Sequence, residues 1–174
     1  MTQNIGTRPL LATGTYRIDP ARSRVHFTIR ELFGLVRARG TFTIRDGTVD
    51  IAAEPAASAT TATIDAASFT TDKPKRDAHV VSKQFLDAAR YPTIRFDSAA
   101  VVRAGDAWEV RGDLTVRGET SPVTLTVGRA AATLDGCRFT ATGRVDRYAT
   151  PVRAGRPFIT RYLNVELDVY AVSA

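Results

Sequence analysis

Trp108-Glu109-Val110-Arg111-Gly112-Asp113-Leu114-Thr115-Val116-Arg117 alternates between two kinds of residue without a break. Trp108, Val110, Gly112, Leu114 and Val116 fall on one side, and Glu109, Arg111, Asp113, Thr115 and Arg117 on the other. A period of two cannot lay an apolar stripe along a helix, but it gives a β-strand one dry face and one wet one. The segments on either side are turn formers, Ala104-Gly105-Asp106 before the strand and Gly118-Glu119-Thr120 after it, so the strand sits between two hairpins.

The same alternation extends outward in both directions. Upstream, Ile94, Phe96, Ser98 and Ala100 oppose Arg95, Asp97 and Ala99. Downstream come Val123, Leu125 and Val127, a turn at Asp135-Gly136, and then Cys137, Phe139, Ala141, Gly143 and Val145 against Arg138, Thr140, Thr142 and Arg144. A loop from Tyr148 to Thr160 leads to a last strand with Leu163, Val165, Leu167, Val169 and Ala171 inward. Nearer the amino terminus, Val25, Phe27 and Ile29 form one strand. Val36, Ala38, Gly40, Phe42 and Ile44 form the next, before the Asp46-Gly47 turn. Val49 and Ile51 restart an extended run toward Pro55, and Ala57 to Phe69 is a weaker extended stretch of small residues.

One segment breaks the pattern. Between Asp72 and Ala89, Pro74 stands near a start, Asp72 is placed to cap it, and Ala78, Val81, Phe85 and Leu86 recur at helical spacings. This predicts a short helical insertion around residues 73–89, ended by Tyr91-Pro92. So few helical turns cannot cover a flat sheet of about eight strands. The apolar face must meet itself, in a sandwich or in a closed barrel, and closure also removes exposed edges.

Size and charge set further bounds. The chain has 174 residues, 44% of them hydrophobic and 24% charged, which suits one globular domain. We expect a flexible segment over 1–14 and a single domain over 15–174. Net charge is +6, but the arginines that dominate it are scattered rather than gathered with aromatics, which argues against specific nucleic-acid binding. No stretch approaches the apolar length of a membrane span, and Met1 to Thr15 lacks an export signal, so a cytoplasmic protein is expected. The one cysteine, Cys137, fits a reducing compartment.

The inward face mixes large and small residues. Ala38, Gly40, Ser98, Ala100, Gly112, Cys137, Ala141, Gly143 and Ala171 are small, and such residues either let backbones approach or leave room for a ligand. No inward strand position is charged, so a ligand there would be a hydrocarbon chain held by burial. The large inward residues Phe27, Phe42, Phe96, Trp108, Leu114, Phe139, Val165 and Leu167 are the candidate lining, with Phe85 and Phe69 placed to close one end. The alternative is a stress-related or protein-interaction barrel filled by its own side chains.

Arg76-Asp77-Ala78-His79-Val80, followed by Phe85, Asp87, Tyr91-Pro92 and Phe96-Asp97-Ser98, resembles the signature of the YceI-like family. Tyr16-Arg17-Ile18-Asp19-Pro20 is similar to that family's opening strand, Gly40-Thr41-Phe42 to its G-x-F, Gly112 to Gly118 to its G-x-L-T-x-R-G hairpin, and Asp146-Arg147 to a late barrel segment. The resemblance runs from about Tyr16 to Ala171. It implies a lipocalin-like barrel of eight antiparallel strands that binds or transports a polyisoprenoid or fatty lipid without catalysis, and a possible homodimer. Arg22 and Glu31 stand where many relatives carry histidine, which implies a different head group.

Other chemistry finds little support. Asp77, His79 and Ser82 lie within six residues of one another, with no nucleophile elbow, and Arg76, Asp77 and His79 read better as a local polar network that pins the helical lid against the barrel. Two histidines and one cysteine give no zinc spacing, and no cofactor is expected. Arg147, Arg153, Arg156 and Arg161 are the densest positive charge, and arginine forks there would suit a lipid phosphate at the barrel mouth.

Overall fold

Each turn signal reverses the chain, and every strand pair it creates is antiparallel. The computed structural model describes residues 11–155 and 158–174. Its strands are β1 (Gly14–Ile18), β2 (Arg24–Glu31), β3 (Val36–Phe42), β4 (Ile44–Ile51), β5 (Ala59–Asp65), β6 (Thr93–Ala104), β7 (Ala107–Val116), β8 (Glu119–Ala132), β9 (Gly136–Asp146) and β10 (Tyr162–Ser173). Helix α1 (Pro74–Val81) lies between β5 and β6.

The strands form one sheet in the order β1-β4-β5-β6-β7-β8-β9-β10-β2-β3, and β1 also pairs with β10. That pairing closes the ring. β1 and β2 lie end to end along one edge of β10, β1 on Ala171–Ser173 and β2 on Asn164–Asp168. β3 and β4 likewise follow one another along β2 and β1. Two bent strands and six straight ones therefore make an eight-stranded antiparallel barrel, and the sandwich is ruled out.

Both bends have local causes. Between β1 and β2 runs Asp19-Pro20, where proline has no N–H to give a ladder, and Asp19 accepts a hydrogen bond from the Ala21 N–H at 2.9 Å. Ser23, fully buried, replaces the missing rungs: its hydroxyl donates to the Tyr170 carbonyl at 3.2 Å and accepts from the Tyr170 N–H at 3.0 Å. Between β3 and β4 the Thr43 N–H donates to the Ser68 hydroxyl at 2.8 Å.

The barrel departs from strict alternation at bulges. In β6 the register slips between Ser98 and Ala100, so that Ala100 pairs with Arg111 and Val101 with Val110. Ala100, expected inward, is exposed, and Val101 takes the inward place. One extra residue reverses every later side chain. A second slip between Val127 and Arg129 turns Ala130 inward.

Several small inward residues are explained by close approach. A Cβ on Gly112 would lie 2.7 Å from the Phe96 ring, and one on Gly143 would lie 2.7 Å from Leu125. Rings and branches from neighbouring strands already occupy those positions, so these glycines do not create space.

The insertion is shorter and differently capped than the sequence suggests. Its α-helix ends at Val81, and residues 82–91 continue in tight turns, with the Leu86 N–H donating to the Val80 carbonyl and the Tyr91 N–H to the Asp87 carbonyl. Asp72 does not cap it, since the residue before the helix is Lys73 and makes no side-chain cap bond. Asp77 instead holds the incoming chain, accepting from the Thr71 N–H at 3.0 Å and from its hydroxyl. Pro55–Ala57, read as a continuing extended run, is a 3-10 turn.

Candidate binding cavity

The inner faces enclose a cavity of about 810 Å³. Trp108 and Val116 both line it, and eight residues of strand separate them, about 26 Å at 3.3 Å per residue. The space therefore extends along most of the barrel. Its walls are aliphatic and aromatic. Phe27, Phe42 and Phe69 form one cluster, with ring centroids 5.5 Å apart for Phe27 and Phe42, 4.9 Å for Phe27 and Phe69, and 5.4 Å for Phe42 and Phe69. Phe69 reaches it from the end of a 3-10 turn rather than from a strand.

Phe27, Phe42, Phe85, Phe96, Trp108, Leu114, Phe139, Val165 and Leu167 border the cavity. Phe85 comes from the turns after α1 and stacks edge-on to His79 with centroids 5.0 Å apart. Together with Leu86 and Val80 it closes one end of the barrel. At the other end Ala52, Ala53, Pro55 and Ala107 form the rim, with Asp50 and Asp106 among them.

The cavity is not uniformly uncharged, which corrects the expectation drawn from the strand positions. Arg76 of α1 and Glu31 at the end of β2 both line it, joined by a 3.2 Å bond between Arg76 Nη2 and Glu31 Oε2. Arg147 lines the same end and is 4% exposed. It donates to the Thr160 carbonyl at 3.0 Å and the Ala154 carbonyl at 2.6 Å. Ile159, which bridges to Glu31, connects the two arginine sites. These side chains come from a helix, a strand end and a 3-10 turn, so strand alternation gave no sign of them.

The other arginines of the late loop lie elsewhere. Arg153 donates to the Thr150 carbonyl at 2.9 Å, and Arg161 grips Asp146 at 2.9 and 2.6 Å; neither lines the cavity. Arg156 lies outside the described residues. The Arg161 guanidinium holds the Asp146 carboxyl well below its ordinary range, at about 2. Arg22 is also remote from the interior, bonded at 2.7 Å to both Asp19 and Asp135, which lowers the pKa of each of those carboxylates.

Among the described residues no catalytic relay forms around His79. The Ser82 hydroxyl donates to the His79 carbonyl, and Asp77 is committed to Thr71. Among the described residues no group of three or more His, Cys, Asp or Glu side chains is placed to hold a metal ion. Burial pushes the Cys137 thiol up to about 11, away from the reactive thiolate.

A closed antiparallel barrel around a long apolar space, with charges confined to its ends, defines a ligand-enclosing β-barrel. The chain belongs to the YceI-like family, whose domain model matches residues 16–171. It is 40% identical over 113 residues to Protein YceI of Escherichia coli O157:H7, an alignment covering 63% of this chain and 59% of the relative. A UPF0312 protein of Pseudomonas savastanoi pv. phaseolicola is 42% identical over 103 residues, covering 58% of this chain and 53% of the relative. The matched stretch thus spans somewhat more than half the length of these relatives.

Among solved structures, Burkholderia cenocepacia BcnA superposes with a TM-score of 0.75 at 25% identity, over 87% of this chain and 98% of BcnA. A polyisoprenoid binding domain from Saccharophagus degradans, implicated in plant cell wall breakdown, shares the fold with a TM-score of 0.65 at 13% identity, over 94% of this chain and all of that one.

Proposed function

We propose that this protein binds and carries a long-chain hydrophobic ligand, a polyisoprenoid or a fatty chain, inside the barrel without transforming it. The observation that carries this reading is the unfilled apolar cavity of about 810 Å³. That volume falls in the range of sites that engulf a small molecule. It also disfavours the alternative of a barrel filled by its own side chains. Each buried CH₂ contributes about 0.8 kcal/mol, so a chain lying along the axis is held without specific hydrogen bonds.

Arg76, Glu31 and Arg147 give the α1 end a polar character that suits a head group, while the aliphatic walls suit the chain. The unit that performs this is the single domain 15–174. The relation to the Saccharophagus degradans domain, described as polyisoprenoid binding, favours the isoprenoid class.

The test is native mass spectrometry of the freshly purified protein, followed by solvent extraction and identification of any released lipid. A stoichiometric long-chain adduct, or uptake of added polyprenyl or fatty chains by the bare protein, is expected. A protein that stays bare after incubation with both would overturn the reading.

A further inference from the structure

The largest exposed apolar side chains of the α1 end gather at one place. The β2–β3 hairpin turns through Leu32, Phe33, Gly34 and Leu35, and Leu32 is 53%, Phe33 69% and Leu35 86% exposed. Leu32 and Phe33 take left-handed backbone, with φ of 49° and 56°, a conformation that bulky residues rarely adopt. Phe158, 53% exposed, joins them: its ring centroid is 5.4 Å from that of Phe33, and its carbonyl accepts from the Phe33 N–H at 3.4 Å. Four large apolar side chains in one exposed cluster are unlike the isolated ones of an ordinary surface.

The flank of this tip is basic. Arg30 and Arg37 face one another across the β2–β3 ladder, and Arg39 follows on the same outer face opposite Thr28. Like charges directly opposite repel. Among the described residues none of these three arginines has a carboxylate within ion-pair distance. Among the described residues the Arg30 side chain donates to the Gly34 carbonyl alone, at 3.2 Å. Glu31, the acid nearest in sequence, is turned to the interior and taken by Arg76.

We propose that the hairpin tip, with Phe158, is a docking surface for an anionic lipid bilayer. Leu32, Phe33, Leu35 and Phe158 would enter the boundary between head groups and acyl chains, and Arg30, Arg37 and Arg39 would meet the negative head groups, relieving their own repulsion. The charge complementarity favours a lipid surface over a second copy of the chain, which would bring the same arginines together. The tip adjoins the end of the cavity, through the Glu31–Ile159 bridge, so docking would place the barrel interior beside the membrane. This goes beyond the cargo reading and stands without it, because the surface needs no bound lipid.

The experiment is flotation of the protein with vesicles of equal parts phosphatidylglycerol and phosphatidylcholine, and with pure phosphatidylcholine. Binding to the anionic vesicles is expected to exceed binding to neutral ones by about tenfold and to weaken in high salt. The double variant Phe33→Ser with Leu35→Ser should lower anionic-vesicle binding by about tenfold. Arg37→Gln with Arg39→Gln should lower it selectively on anionic vesicles, and this second variant serves if the first fails to fold. Uptake of a fluorescent chain, measured separately, should persist in both. Equal binding to the two vesicle types, no vesicle binding, or a dimer in sedimentation velocity that the Phe33 and Leu35 changes dissolve would each overturn the proposal.

Discussion

Arg76 and Glu31 meet across 45 residues of sequence, and their 3.2 Å contact joins the helix over the cavity to the far end of β2. Both side chains are largely covered, at 17% and 25% exposure, so removing one leaves the other charge poorly solvated. Arg76→Met is expected to destabilise the protein by about 1–2 kcal/mol, with a coupling to Glu31→Gln of about 1 kcal/mol in a double-mutant cycle. Urea unfolding of the four proteins measures this. Additive losses would mean that the contact contributes nothing.

Gly112 and Gly128 offer a paired test of close approach. A Cβ on Gly112 would strike the Phe96 ring at 2.7 Å and also the Asp97 carbonyl, and backbone cannot step aside. Gly112→Ala is expected to cost about 2–3 kcal/mol. At Gly128 the nearest atom is the Thr140 hydroxyl at 3.2 Å, which can rotate away. Gly128→Ala should cost under about 1 kcal/mol. Thermal melts of the two variants should therefore separate clearly.

The cavity can be filled from its wall. Ala141 lines it opposite Val127 and Leu167, its ladder partners. Ala141→Trp is expected to lower uptake of a fluorescent fatty or polyprenyl chain by about tenfold or more while the protein still unfolds cooperatively. Unchanged uptake with a stable fold would place the ligand outside the barrel.

Acid should loosen the barrel in a defined window. Asp146 is held at about 2, below its ordinary 3.8, first by the Arg161 bond and further by the Tyr148 N–H. A depressed carboxylate stabilises the fold above its unfolded pKa, and that contribution fades as the pH falls from near 4 toward 2. Asp19, Asp135 and Asp168 are shifted the same way by their arginines. Melting temperature should drop across that range, and Asp146→Asn should flatten part of the acid limb while lowering the plateau at neutral pH. A parallel curve for the variant would remove Asp146 from the account.

Much of the barrel was legible in the sequence because alternation is a strong signal where bulky and charged residues take turns, as from Trp108 to Arg117. It weakened where side chains are small. Nothing marks Ala99 as the extra residue that turns Ala100 outward, since alanine suits either face. The apolar wall was legible for the same reason as the strands: Phe96, Phe139 and Leu167 lie in clean alternating runs. Arg76 was not, because it reaches the interior from a helix, where a period of two says nothing about direction; Arg147 stood out only through the density of arginines around it, and Glu31 only through the family resemblance. The exposed hairpin tip was equally hidden, for an apolar residue in a turn reads in sequence like one on its way to the core.

The closing seam has a consequence for how the chain comes to be folded. One edge of β1 and β2 pairs early with β4 and β3, but the other edge finds its partner in β10, which is synthesised after the other nine strands of the barrel. On the ribosome, residues 14–31 must wait, with one edge open, until the final strand emerges. Contacts of such long sequence separation make for slow closure, so the nascent barrel carries an unpaired edge, open to misassembly, until β10 has emerged.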